Sequence, residues 1–73
     1  MVHKDHNQLL LEGFVYMSRK HIPYSNDERR LYTHKTEGCY VLYLRGIEVV
    51  ESHKYPKTEY EAAYHHLKNG IYE

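Results

Sequence analysis

The sequence predicts a small α+β domain: a three-stranded antiparallel β-meander with an N-terminal and a C-terminal helix, in the order α-β-β-β-α. Three observations lead to this fold class. β-branched and aromatic residues crowd residues 39–51 around one turn signal, Arg45-Gly46. Apolar residues recur at three- and four-residue steps near the start of the chain, and a helix-capping pattern precedes a similar stripe near its end.

Length and composition limit the chain to one domain. It has 73 residues, of which 41% are hydrophobic and 27% charged, as in ordinary globular proteins. We therefore predict a flexible N-terminus at residues 1–5 and a single domain at residues 6–73.

Charge and cysteine content argue against several functional classes. Ten basic and ten acidic residues are interleaved, so no field of one sign attracts nucleic acid or an anionic membrane. The single cysteine, Cys39, cannot form an internal disulfide, whereas small secreted domains commonly depend on several. The chain has neither the roughly 18 apolar residues of a membrane span nor the apolar block of a signal peptide. We expect a cytoplasmic protein without membrane contact.

The first predicted element is a helix over residues 6–20. Asp5 and Gln8 have the spacing of an N-cap and its reciprocal partner, and Pro23 prevents continuation. Gly13 is the weak point, because glycine costs about 1 kcal/mol relative to alanine inside a helix. A strand at residues 14–17 is the alternative. The apolar stripe consists of Leu10, Leu11, Phe14, Met17 and His21.

Residues 29–35 are predicted to form the first strand, after a polar loop at residues 24–28. The register of this strand depends on the length of the turn that follows it. A two-residue turn puts Leu31 on the aliphatic face of the hairpin, and a turn longer by one residue reverses the assignment of Leu31 and Tyr32. We favour the two-residue turn because it buries Leu31.

The hairpin supplies the second and third strands. A two-residue loop at 45–46 places Leu44 opposite Ile47. It also places Leu42 opposite Val49, so that one face is almost entirely aliphatic. The economical arrangement has both helices on that face and leaves the other face open.

The last predicted element is the best-marked helix. Thr58 and Glu61 have capping-box spacing, and the helix is expected to run to about Lys68, with Asn69-Gly70 as its stop. Ile71 is placed to make the hydrophobic contact that follows such a cap. The stripe expected to face the sheet consists of Tyr60, Ala63, Tyr64 and Leu67.

The residue pattern does not indicate catalysis, a metal ion or another cofactor. Seven histidines are scattered, and adjacent His65 and His66 point about 100° apart on a helix, so they cannot easily share one ion. A packing role for Cys39 is favoured over a nucleophilic one. The chain has no glycine-rich phosphate loop and no nucleophile elbow.

Nine tyrosines and no tryptophan are the unusual feature of the composition. Tyrosine and arginine are enriched at binding hot spots. The open sheet face would carry the candidate partner-binding residues Tyr32, His34, Val41, Tyr43, Arg45 and Val50. In the competing interpretation the first helix covers this face and turns it into a second layer of core. An alternative binding surface is the last helix, with Tyr60, Tyr64 or His65 outward.

We expect a non-catalytic protein-binding module: a small regulator, inhibitor or adaptor, that docks on a larger cytosolic complex. Its size class suggests a protein encoded by a phage or a mobile element and acting in host takeover. A homodimer through the same sheet face is a variant of this hypothesis. The alternative is a small DNA-binding protein that uses the sheet and a basic edge at Arg29, Arg30, Lys35 and Arg45, against the repulsion of Glu28, Glu37, Glu48 and Glu51.

Overall fold

A four-stranded antiparallel sheet with one helix on each face forms the protein. The structure, a computed structural model, describes residues 3–70. The α+β class is confirmed, but the sheet has four strands in the order β1-β2-β3-β4 instead of the three predicted. In chain order the elements are α1 His6–Leu11, β1 Val15–His21, β2 Asp27–His34, β3 Gly38–Arg45, β4 Glu48–Tyr55 and α2 Tyr60–Asn69.

The N-terminal helix is much shorter than predicted. The Asp5 N-cap is confirmed, since its Oδ1 accepts the Gln8 amide at 2.8 Å. The helix ends before Gly13, whose φ of 96° is outside the helical range. The chain then turns into β1, so the helix predicted over 6–20 is wrong beyond Leu11 and the strand alternative applies. Glycine allowed this turn, and pairing with β2 outweighed the helical periodicity of the apolar residues.

Residues 3–5 belong to the segment predicted to be a flexible N-terminus, and they contact the domain. His3 Nδ1 lies 3.0 Å from Ser52 Oγ, and Lys4 Nζ lies 2.6 Å from Glu12 Oε1. Residues 1–2 of that segment, and the contact expected of Ile71, lie outside the described residues.

β1 pairs with β2 at the edge of the sheet. Val15 lies opposite Thr33 and Lys20 opposite Arg29, with a β-bulge at Met17. The connecting loop, residues 22–26, lies two residues earlier than the predicted loop at residues 24–28, because β2 already begins at Asp27.

The favoured register of β2 against β3 is wrong. His34 pairs with Gly38, which leaves a three-residue turn at 35–37. Leu31 therefore lies opposite Val41, and Tyr32 lies opposite Tyr40. Because side chains alternate between the two faces of a sheet, this single additional residue exchanges the faces of Leu31 and Tyr32.

The central hairpin is confirmed, with a shifted turn. Arg45 pairs with Glu48, so the loop is Gly46-Ile47 instead of Arg45-Gly46. Gly46, with a φ of 68°, occupies the first loop position, where a type II′ turn requires a positive φ. Ile47 is consequently 99% exposed and does not join the aliphatic face.

Each sheet face is covered by one helix, so the expectation that both helices lie on one face is wrong. The core cluster on the α1 face consists of Leu9, Phe14, Tyr32, Leu42 and Leu44. The cluster on the α2 face consists of Leu31, Cys39, Val41, Ala63 and Leu67. β3 places apolar side chains on both sides of the sheet, and both sides have to be removed from water.

The end of α2 is as predicted, but only Ala63 and Leu67 of its predicted stripe are buried. Asn69 is the last helical residue, and Gly70, with a φ of 89°, donates its amide to the His66 carbonyl at 2.9 Å. The buried side chains of α2 are Ala63, His66 and Leu67, whereas the tyrosines of the predicted stripe are exposed. A short 3₁₀ turn, Lys57–Glu59, precedes α2, so the predicted capping residue Thr58 lies within that turn.

Candidate protein-binding surface

The sheet-face patch predicted to bind a partner does not exist as one surface. Tyr32 is 0% exposed and packs in the cluster under α1. Val41 is 1% exposed and packs against α2 on the other face. Both residues are core, on opposite sides of the sheet, because the register is shifted by one residue and each face has its own helix.

The other four members of that predicted patch are also divided by the sheet. His34 is half-buried, with its ring centroid 5.0 Å from that of Phe14. The Tyr43 hydroxyl donates to Asp27 Oδ2 at 2.6 Å, and this carboxylate also lies 3.7 Å from Arg45 Nε. Val50 is the unpaired residue of the β3–β4 bulge. Tyr43 and Arg45 share a carboxylate on the neighbouring strand, whereas His34 packs against Phe14, so the four side chains do not form one surface.

The buried Tyr32 hydroxyl has partners that connect α1 to the sheet. It lies 2.7 Å from His6 Nδ1 and 3.5 Å from an Arg30 guanidinium nitrogen. Arg30 also forms an ion pair with Glu28. Burial raises the pKa of Tyr32, so it remains a neutral hydrogen-bonding group. The position is therefore structural.

Most of the basic edge named for DNA binding is engaged within the chain. Arg29 donates from Nε to the Leu67 carbonyl at 2.8 Å and from a terminal nitrogen to the Lys68 carbonyl at 3.1 Å. Arg30 and Arg45 lie beside carboxylates, as described above. The two helices cover opposite faces of the central strands β2 and β3.

Exposed apolar side chains collect on a different part of the molecule. Every residue of β1 is exposed, including Val15 and Met17. On α2, Tyr60 and Tyr64 are 41% and 42% exposed. We call these four residues the β1/α2 surface.

α2 crosses the sheet and also contacts β1. One row of paired residues runs from Val15 through Thr33 and Cys39 to Tyr55 on β4, and Tyr55 is followed at once by the turn that leads into α2. At the other end of the helix, Arg29 of β2, the partner of Lys20, donates to the last carbonyls of α2. α2 therefore begins beside the end of β4 and ends beside β2.

The exposed tyrosines lie on the flank of α2 that faces β1. His66 marks the opposite flank, because its Nδ1 lies 2.9 Å from the Tyr55 hydroxyl and its ring centroid lies 4.9 Å from that of His53, both on β4. Tyr64 precedes His66 by two residues and so lies about 160° away around the helix. Tyr60 is four residues before Tyr64 and shares its flank.

The two tyrosines form an ordered pair. Their ring centroids are 6.4 Å apart with an interplanar angle of 22°, and Lys68 Nζ lies 5.5 Å from the Tyr64 ring centroid. His65 is exposed on the outer side of the same helix. The alternative binding residues that the sequence places on the last helix are thus accessible, while most of the favoured set is not.

A cleft of about 270 Å³ lies between the start of α1 and the β3–β4 turn. Its polar lining residues are Asp5, His6, Asn7 and Arg30, and its lining also includes Leu44. Three of these polar side chains have partners within the chain: Asp5 the Gln8 amide, His6 the Tyr32 hydroxyl and Arg30 the Glu28 carboxylate.

Within residues 3–70, no group of three or more histidine, cysteine, aspartate or glutamate side chains could hold a metal ion. Cys39 is buried, and this burial raises the pKa of its thiol, which is the opposite of what a nucleophile needs.

Comparisons with protein-family models, with curated proteins and with solved structures found no match for this chain. None of the described helices has the length and apolar content needed to cross a bilayer. The described residues form a small α+β domain with one helix on each sheet face and with exposed apolar side chains on β1 and on the flank of α2 that faces β1.

Proposed function

We propose that this protein is a non-catalytic protein-binding module, a small regulator that docks on a larger protein through the β1/α2 surface. The observation that carries the proposal is the exposure of Val15 and Met17 on the edge strand β1 and of Tyr60 and Tyr64 on the flank of α2 that faces β1. Docking there would inhibit the partner or connect it to a second protein, depending on what the occupied region of the partner does.

The physical chemistry of the surface supports protein binding. Tyrosine presents a large, rigid apolar area with a polar tip, and such residues dominate binding hot spots. None of the four residues of this surface belongs to the two core clusters under the helices. Contiguous apolar surface on a small domain is typical of an interaction site.

The competing classes have less support. An enzyme would need convergent free polar groups, and Asp5, His6 and Arg30 of the cleft are engaged with neighbouring side chains or backbone. A DNA-binding protein would need accessible cations, and Arg29 is engaged by the carbonyls that end α2.

The test is an affinity capture from the protein's own cytosol with matched variants. Tyr60→Ala/Tyr64→Ala removes the tyrosine pair, and Tyr24→Ala removes a fully exposed tyrosine from the β1–β2 loop as the control. We expect a partner that the wild type and Tyr24→Ala capture equally, and that the double variant captures at least about tenfold more weakly.

Circular dichroism and a thermal melt must show that the double variant remains folded. Equal capture of the same proteins by the folded double variant and the wild type would show that the β1/α2 surface is not the binding site. The variant Tyr43→Ala examines the sheet-face hypothesis in the same experiment, and we expect it to retain the partner.

A further inference from the structure

Within residues 3–70, β1 has no strand neighbour on one side of its backbone. It is the first strand in the sheet order, and all seven of its residues are exposed. An edge of this kind presents backbone N–H and C=O groups that can pair with an added strand.

The direction of each β1 amide follows from the loop that joins it to β2. The Ile22 amide donates to the Asp27 carbonyl at 2.9 Å, so Ile22 is directed toward β2. In an antiparallel pair this direction alternates along the strand. The Lys20 amide is therefore directed toward β2, whereas the amides of Arg19 and His21 point to the free edge.

Two consecutive side chains of this edge, Arg19 and Lys20, are cationic. Arg19 is 65% exposed and donates a 3.4 Å hydrogen bond to the Glu28 carboxylate. Within residues 3–70, no carboxylate oxygen lies within 4.0 Å of Lys20 Nζ. Directly opposed residues of an added strand would lie about 5 Å away, close enough for acidic side chains to pair with these cations.

The other sheet edge lacks this character. β4 carries both signs of charge, with Glu48, Glu51 and Lys54, and its Ser52 is contacted by His3. The charge therefore distinguishes β1 from β4 as the receiving edge.

We propose that the partner binds by adding an acidic extended segment as an antiparallel strand along the free edge of β1. The regular part of that edge is residues 18–21, because the bulge at Met17 interrupts the strand before it. Val15, Met17 and the tyrosine pair then contact the partner beyond the added strand. This inference rests on the proposed function and names the partner chemistry that the surface would take.

The test uses the whole ¹⁵N-labelled protein and two synthetic peptides. One is Glu-Glu-Glu-Thr-Val-Val-Val with blocked ends, ordered so that in antiparallel pairing its glutamates oppose residues 19–21. The control is Lys-Lys-Lys-Thr-Val-Val-Val. We expect the acidic peptide to shift the β1 amide resonances and to bind at least about tenfold more tightly than the lysine peptide. Its affinity should decrease as salt is added. Equal binding of the two peptides, or no binding of either, would overturn the proposal.

Two variants distinguish the contribution of the Arg19 backbone N–H to peptide binding from that of the Arg19 side-chain charge. Arg19→Ala removes only the side chain, whereas Arg19→Pro also removes the outward amide, at an edge position where proline is tolerated. We expect Arg19→Pro to bind the acidic peptide at least about fivefold more weakly than Arg19→Ala. If Arg19→Pro does not fold, a chemically synthesised chain with N-methylated Arg19 removes the same N–H. Equal binding by the amide-deficient and Arg19→Ala proteins would exclude strand addition.

The peptide titration does not depend on the captured partner. A negative peptide titration does not change the conclusion from the capture experiment with Tyr60→Ala/Tyr64→Ala. A negative capture experiment likewise does not change the conclusion from the peptide titration. The protein could instead self-associate through this edge. If Arg19→Pro abolishes such self-association and neither peptide binds, the edge pairs with a second copy of the chain, and the proposal of an acidic partner is overturned.

Discussion

At the scale of single residues, His66 is the buried polar group that links α2 to the sheet. It is 5% exposed, and its Nδ1 lies 2.9 Å from the Tyr55 hydroxyl. Burial lowers the pKa of His66, and the nearby His53 and Arg29 lower it further. The folded protein therefore favours the neutral imidazole.

This pKa shift predicts a loss of stability in acid. As the pH falls through about 6.5, the unfolded chain binds a proton at His66 before the folded protein does, so the free energy of unfolding decreases. The stability that neutral His66 contributes is fully present above about pH 6.5 and is lost as the pH falls toward the lower pKa of His66 in the folded state. We expect His66→Gln to show a smaller decrease between about pH 7.5 and about pH 5 than the wild type in urea unfolding.

The matched control is His65→Gln, the exposed neighbour on the same helix. It should change the pH dependence much less than His66→Gln does, because His65 is the smallest of the causes that lower the pKa of His66. If His66→Gln keeps the pH dependence of the wild type, protonation of His66 is not its source.

At the scale of elements, two turns use glycine for different reasons. Gly38, with a φ of 105°, begins β3 where the chain leaving β4 passes over it, and a Cβ there would lie 2.2 Å from the Tyr55 carbonyl oxygen. Gly46, with a φ of 68°, sits in the β3–β4 loop, and a Cβ there would meet no atom within 4 Å. The absence of a side chain at Gly38 therefore allows the segment leading to α2 to close against the sheet.

These two glycines form a matched pair of substitutions. Gly46→Ala should cost about 1 kcal/mol, because only the left-handed conformation is penalised. Gly38→Ala should cost about 3 kcal/mol or more, because the same penalty is joined by a contact with backbone that cannot move freely. Urea unfolding measures both, and equal losses would mean that the close approach at Gly38 does not constrain the fold.

At the scale of the whole molecule, the two core clusters share their central strands. Leu31 and Tyr32 are neighbours in β2 but belong to opposite clusters, and Val41 and Leu42 are divided in the same way in β3. Loss of either helix layer exposes one side of both strands. The two layers are therefore coupled through one sheet.

This coupling predicts a single cooperative unfolding transition. Cys39, 3% exposed under α2, should react with a thiol reagent only when the sheet itself unfolds. The midpoint of thiol modification in urea should coincide with the midpoint measured by circular dichroism. Modification at clearly lower urea would show that α2 opens separately from the rest of the domain.

The sequence predicted two of the four residues of the candidate surface, but not where on the fold that surface lies. Tyr60 and Tyr64 lie on a helix that the capping and stop signals predict, and they were named as an alternative binding set. Val15 and Met17 were missed because their stretch was assigned to the first helix, although Gly13 was the signal of a break. The favoured sheet-face set was wrong because it depended on the register and on the side that α1 takes.

The sequence by itself determined the α+β class, the Asp5 cap, the central hairpin and the end of α2 at Asn69, because caps and turns act between residues a few positions apart. Only the tertiary structure decided that β1 joins the sheet, that Leu31 faces α2 and that the helices cover opposite faces. Those outcomes depend on pairing between distant strands, where a difference of one residue in a turn moves every following side chain to the other face.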